Sequence, residues 1–161
     1  IPTLIVHARV AILKGLSPRQ NRTVPPLKYE NVYQLKHDFP NLEIVINGGI
    51  QSVDESLMHL EKVDGVMLGR AVYDNPMIAS DVDEKVFNAT PKSHDRKKIL
   101  GNYLKYCIAQ YEHGHSYNRT LKHVFGINKG MTHARQYRKL ILESMQKENL
   151  SANLDDLVSM V

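Results

Sequence analysis

The sequence lacks most of the features that would assign a chain to a class at once. Tryptophan is absent, and cysteine occurs once, at Cys107, among 161 residues. A lone cysteine cannot close an internal disulfide, which excludes a disulfide-stapled scaffold. No apolar run approaches the roughly 20 residues that cross a bilayer, so no membrane span is expected. The start does not combine a basic stretch with an apolar core, the mark of a secretory leader; a reduced, cytoplasmic setting is expected. CxxC and HExxH are missing, and no metal site is expected without such spacings. GxGxxG and GxxxxGK[ST] are missing too, which removes support for Rossmann and Walker nucleotide sites.

What remains is the composition of a globular chain, 42% hydrophobic and 24% charged, long enough for one domain with a small appendage. The sequence opens on Ile1 and runs directly into Thr3-Leu4-Ile5-Val6. A strand with no turn or cap before it suggests part of a longer protein. The net charge of +4 is unevenly placed: residues 1–91 carry −2, residues 92–139 carry +9 and residues 140–161 carry −3. The basic stretch also holds His94, His113, His115, His123 and His133. A lysine-rich solvated surface would explain a single basic run, whereas an excess this large over 48 residues points towards a polyanion such as nucleic acid.

Hydrophobic spacing divides the chain in two. Residues 3–6, 42–46 and 63–68 are short apolar runs, the last two closed by Asn47-Gly48-Gly49 and Gly69-Arg70, the pattern of buried parallel strands. Residues 31–39 and 52–62 have helical spacing, and Ser52 with Glu55 reads as a capping box. A long, Pro- and Arg-containing loop covers residues 9–29; a connection of that length at a strand end is more often functional than idle. Beyond residue 91, residues 95–112, 117–125, 132–146 and 154–160 read as helices, with Asn149–Asn153 as a break. The expectation is an α/β part over residues 1–91 and a helical part over residues 92–161.

In parallel sheets and barrels, ligands bind at the carboxyl ends of the strands. Here those ends read His7-Ala8-Arg9, Asn47-Gly48-Gly49 and Gly69-Arg70. Glycine bares backbone N–H groups, and arginine holds phosphate through paired hydrogen bonds. Each glycine alone is also what a plain strand-to-helix turn contains; their repetition at neighbouring strands, with Arg70 following, favours phosphate. Arg135 and Arg138 lie three apart and share a helix face, extended by Lys139, with Ala134, Tyr137, Ile141 and Met145 on the apolar side. Binding RNA and merely facing solvent remain open for that face.

Several strings together resemble the A-type tRNA-dihydrouridine synthases: His7-Ala8-Arg9, Leu13-Lys14-Gly15-Leu16-Ser17-Pro18, Asn21-Arg22, Pro25-Pro26-Leu27, Ile46-Asn47-Gly48-Gly49-Ile50, Asp64 to Ala71, Gly126-Ile127 and Ala134 to Lys139. The resemblance covers nearly the whole chain in order. It implies the carboxyl-terminal part of a (β/α)8 TIM barrel, contributing the last three strands, followed by an all-helical tRNA-binding domain. It also implies reduction of uridine to 5,6-dihydrouridine in tRNA, with FMN as cofactor and NADPH as reductant. His7, Asn47, Gly48, Gly49, Gly69 and Arg70 resemble cofactor-binding positions. Arg19, Arg22, Arg135 and Arg138 resemble tRNA-contacting ones.

The resemblance begins at what looks like the sixth barrel strand. The family's catalytic cysteine is therefore expected upstream of this chain, and these 161 residues are expected to be inactive alone. Cys107, in the middle of a basic helix, reads as a packing residue. Two other readings compete: a non-catalytic RNA-binding module, and another FMN- or phosphate-binding barrel oxidoreductase of the dihydroorotate dehydrogenase kind. The basic segment counts against the second.

Overall fold

A computed structural model describes residues 2–161. The chain divides into two compact units, one comprising residues up to Val72 with Lys85–Asn88, the other Tyr73–Glu84 with Ala89–Val161.

The first unit is built on three strands, β1 (Thr3–His7), β2 (Glu43–Asn47) and β3 (Gly65–Met67). They form a parallel sheet in the order β1-β2-β3. Because strand side chains alternate between faces, Ile44 and Ile46 point together and are fully buried. They join Ala8, Val32, Ile50 and Val63 in a core completed by Leu4, Val6 and Leu35. The opposite face carries Ile5, which is 62% exposed, and Met67, which is 42% exposed. Neighbouring parallel strands with helical connections are the arrangement of a section of a (β/α)8 barrel.

Two helices connect these strands, α2 (Tyr29–Asp38) and α3 (Val53–Leu60). The long loop before α2 is more ordered than its sequence indicates. It contains α1 (Pro18–Asn21), whose reciprocal cap joins the Ser17 hydroxyl to the Gln20 N–H and the Gln20 amide oxygen to the Ser17 N–H. The cap expected at Ser52 is only half formed. Its hydroxyl accepts the Glu55 N–H, but the Glu55 carboxylate takes the N–H of Gln51, one residue earlier.

The expected strand over residues 63–68 is shorter at its start, where Val63 is still tied to α3 and Asp64 makes the first backbone bond to β2, to Ile44 O at 3.0 Å. The Val63 N–H donates to His59 O at the end of α3, and the Asp64 carboxylate accepts the Ile44 N–H at 2.8 Å and pairs with Lys36 at 2.7 Å.

Beyond β3 come α4 (Arg70–Asp74), a 3-10 turn (Pro76–Asp81) and α5 (Val82–Phe87). The second unit is organised by α6 (Arg96–Glu112), α7 (Tyr117–Thr120), a 3-10 segment (Leu121–Val124), α8 (Ala134–Lys147) and α9 (Leu150–Ser159). The single helix expected over residues 117–125 is thus two short pieces, of which only the second is the tighter 3-10 form. The break expected at residues 149–153 lies largely inside α9, which follows the left-handed Glu148. Leu150 and Leu157 of α9 join Leu100, Leu104, Cys107, Leu121, Tyr137 and Ile141 in this unit's core. The Tyr137 hydroxyl donates to Val124 O at 3.0 Å, tying α8 to the 3-10 segment.

Gly126 is forced by sterics: a Cβ there would lie 2.5 Å from the Asp74 carbonyl oxygen. Gly126→Ala is expected to cost about 1–3 kcal/mol of stability. Gly101→Ala, inside α6 with only Val158 at 3.7 Å, is expected to stabilise by about 0.5–1 kcal/mol; thermal melts of the two variants check both signs. Asp64 gives a pH signature. The Ile44 N–H, then Lys36, hold its carboxyl below the ordinary value, so its stabilisation is present above the unfolded pKa of about 3.9 and is lost as pH falls through the lower folded value. Denaturation midpoints across that acid range are expected to fall less steeply for Asp64→Asn than for wild type.

Candidate functional site

The register of the sheet brings the three strand tips into one row. His7 pairs with Asn47, and Asn47 with Met67. The Ala8 N–H donates to Asn47 O at 2.8 Å, continuing the β1–β2 ladder past the strand end. His7 and Asn47 therefore project from one face of the sheet, the face that also carries Ile5 and Met67. Immediately after β2, Gly48 (φ 121°) and Gly49 (φ 77°) both adopt backbone that L side chains rarely reach. Their lack of Cβ is used: a Cβ on Gly48 would lie 3.2 Å from His7 Cε1, and one on Gly49 would lie 2.5 Å from Leu27 Cδ1. The imidazole of His7 thus rests against bare backbone. Gly69 differs, since its φ is not left-handed and the space beside it is open.

Arginines surround this row. Arg70 Nη2 donates to Arg22 O at 3.1 Å, bringing the end of α1 to the start of α4. Arg9 Nη1 donates to Pro25 O, while Arg9 Nε is buried without an acceptor among the described residues. Burial lowers the pKa of His7, and the positive charges of Arg9, Arg70 and Arg22 lower it further, so the imidazole is neutral at neutral pH. Among the described residues, the Asn47 amide meets only the Met67 sulfur, at 3.4 Å, a weak acceptor. The strand tips therefore hold more donors than acceptors: a guanidinium whose Nη2 rests on a carbonyl, an unpaired buried Nε–H and a poorly paired amide. Such a set suits an anion or a row of carbonyl oxygens.

A supporting layer escaped the sequence reading. Tyr29 donates its hydroxyl to Gly48 O at 2.8 Å and sets its ring edge-on to buried His59, with centroids 4.5 Å apart. His59 Nδ1 lies 2.6 Å from Tyr33 Oη. Leu27 closes the other side of the glycine pair. The sequence pattern places Tyr29 at the end of the long loop, whereas it opens α2, and nothing local says that its hydroxyl reaches the turn after β2.

The remaining candidates fall in two places. Arg19 is exposed on α1, one turn before Arg22. Arg135 and Arg138 are exposed on α8, with Lys139 beside them, while Tyr137 and Ile141 are buried on the other side. Cys107 is fully buried, and burial raises its thiol pKa. Among the described residues, no group of three or more His, Cys, Asp or Glu could hold a metal ion, and no helix is long and apolar enough to cross a membrane.

The family model described as dihydrouridine synthase matches residues 1–161. The chain is 44% identical over 142 residues to the tRNA-dihydrouridine(20/20a) synthase of Pseudomonas putida, covering 88% of this chain and 42% of that protein. It is 44% identical over 144 residues to the protein of the same name from Haemophilus ducreyi, covering 89% and 45%. A third, from Shigella flexneri, is 40% identical over 150 residues, covering 93% and 44%. The chain spans less than half the length of these relatives.

The electrostatics of the strand tips can be read directly. Arg70→Gln is expected to raise the His7 pKa, seen in an NMR titration of the imidazole. An unchanged midpoint would contradict the arrangement of charge around His7.

Proposed function

Because the chain belongs to the dihydrouridine synthase family, we propose that it forms the carboxyl-terminal part of an enzyme reducing uridine to 5,6-dihydrouridine in tRNA, with FMN as cofactor and NADPH as reductant. The observation that carries this reading is the donor-rich row at the strand tips, where His7, Asn47, the Gly48–Gly49 backbone and Arg70 converge. Residues 1–91 supply the flavin side and residues 92–161 the tRNA side.

The residues fit such a cofactor, because the unpaired Arg9 Nε and the weakly paired Asn47 amide are donors in want of acceptors. Arg70 and the backbone N–H groups of Gly48, Gly49 and Gly69 would hold its phosphate, and His7 and Asn47 its polar chain. When bound, FMN supplies the hydride that saturates the C5–C6 bond of uracil. His7, kept neutral, offers one N–H and one lone pair without adding to the local positive charge. The uracil must leave its stack to reach the barrel interior. Arg19 and Arg22 steer the RNA backbone near the opening, while Arg135 and Arg138 grip it from α8. Phosphate contacts of this kind set which nucleotide arrives.

Cys107 does not supply the proton for uracil, since its thiol is sealed in a core and its ionisation is disfavoured; that acid is proposed to lie in the other barrel strands. A purely RNA-binding module would leave the strand-tip donors without a purpose.

Arg135→Ala and Arg138→Ala are expected to weaken tRNA binding and to lower the slope of log K against log salt by about 0.7–0.9 per lost contact. Identical titrations would remove the RNA face from α8. In the full-length enzyme, Arg70→Ala is expected to reduce the flavin that co-purifies, and equal flavin content would contradict its phosphate role.

A further inference from the structure

The second unit contains a cavity of about 340 Å³ lined by Tyr73, Asp74, Lys122, Phe125, Gly126, Lys129 and Arg138. Short hydrogen-bonded turns build it. The Ile127 N–H donates to Val124 O and the Lys129 N–H to Gly126 O, at 3.2 and 3.1 Å. Gly126 lies against the Asp74 backbone so closely that no Cβ would fit, and the Tyr137 hydroxyl anchors Val124. The turn from Leu121 onward thus carries Lys122 and Lys129 to the cavity, where Arg138 of α8 also arrives. On one wall, Tyr73 Oη lies 3.1 Å from His123 Nδ1, and the two rings stand perpendicular at 5.8 Å.

Three cations meet here against one carboxylate. Lys122, Lys129 and Arg138 are exposed, and none has an acidic partner among the described residues. Cations that outnumber the carboxylate on a concave wall match an anion that enters the cavity. Lysine acts as a point charge towards phosphate and arginine as a fork, while exposed Tyr73 and half-buried Phe125 add aromatic surface to the lining for a ribose or base.

We propose that Lys122, Lys129 and Arg138 form a seat for one phosphodiester of the tRNA backbone, with the adjacent nucleoside lying on Phe125 and Tyr73. This rests on the tRNA-binding reading of the same unit and extends it by two lysines and two aromatic walls. Arg135 and Arg138 then differ in role: Arg138 lines the seat, and Arg135 lies outside it on the exposed face of α8.

The test is a salt-dependent anisotropy titration of the 161-residue chain with a labelled tRNA transcript. Lys122→Gln with Lys129→Gln is expected to weaken binding about tenfold and to lower the salt slope by roughly 1.4–1.8, with an unchanged melting temperature. Lys147→Gln, which removes a surface lysine paired with Glu143 at 3.2 Å, is the control and is expected to leave both quantities unchanged. If the wild type binds the transcript and the double variant binds it equally well, the seat is refuted while the wider tRNA reading stands. If Lys147→Gln is as damaging as the pair, the effect is general surface charge and the seat is again refuted. If poly-L-glutamate at matched charge displaces the transcript from wild type but not from the double variant, the cavity serves an acidic protein instead. If the wild type binds no tRNA, the broader reading falls and the seat falls with it.

Discussion

Everything at the proposed flavin site depends on parallel pairing in one register. The side-chain period of a strand is two, so a slip of one residue would turn His7 to the other face of the sheet while Asn47 stayed in place. The observed pairing of His7 with Asn47 and of Asn47 with Met67 is enforced by the buried face, where Ile44 and Ile46 have no exposure at all. The core and the site are thus two sides of one constraint: burial of the even-numbered residues of β2 obliges its odd-numbered terminal residue, Asn47, to face the opposite side. The left-handed Gly48 then clears the space in which the His7 ring lies, and Gly49 makes room for Leu27.

The second unit solves a different problem with the same economy of parts. Its core draws on α6, α8 and α9 and on the short turns around Leu121–Ile127. Burial of Tyr137 and Ile141 leaves Arg135, Arg138 and Lys139 outward. The excess of positive charge in residues 92–139 is therefore carried on surfaces held from behind by a packed apolar layer. This makes the charge directional, which a lysine-rich tail would not be.

How much of this was legible beforehand varies with the range of the interaction concerned. Strands closed by glycine and helices with long apolar stripes were readable, because both signals are local. The element ends were less so, as residues 63–68 show: Val63 turns its N–H back to His59, and the Asp64 carboxylate is held by Ile44 and Lys36, both far back in the chain. The short helices from Arg70 onward complete about two turns at most and carry no full apolar period. The start of α9 was hidden by its polar residues, although Leu150 and Leu157 are buried on one side. At the site, His7, Asn47 and Arg70 were readable from strand-end chemistry. Tyr29, His59 and Leu27 were not, because their roles arise only when α2 and α3 come to lie near the turn after β2.

The most direct measurement follows the His7 imidazole by NMR while FMN, or riboflavin as a phosphate-free control, is added to the protein. A phosphate dianion settling near Arg70 and the glycine turn would offset the positive charges that now depress the His7 pKa. The account predicts that FMN raises this midpoint and riboflavin does not. An identical His7 titration in the presence of saturating FMN would contradict it.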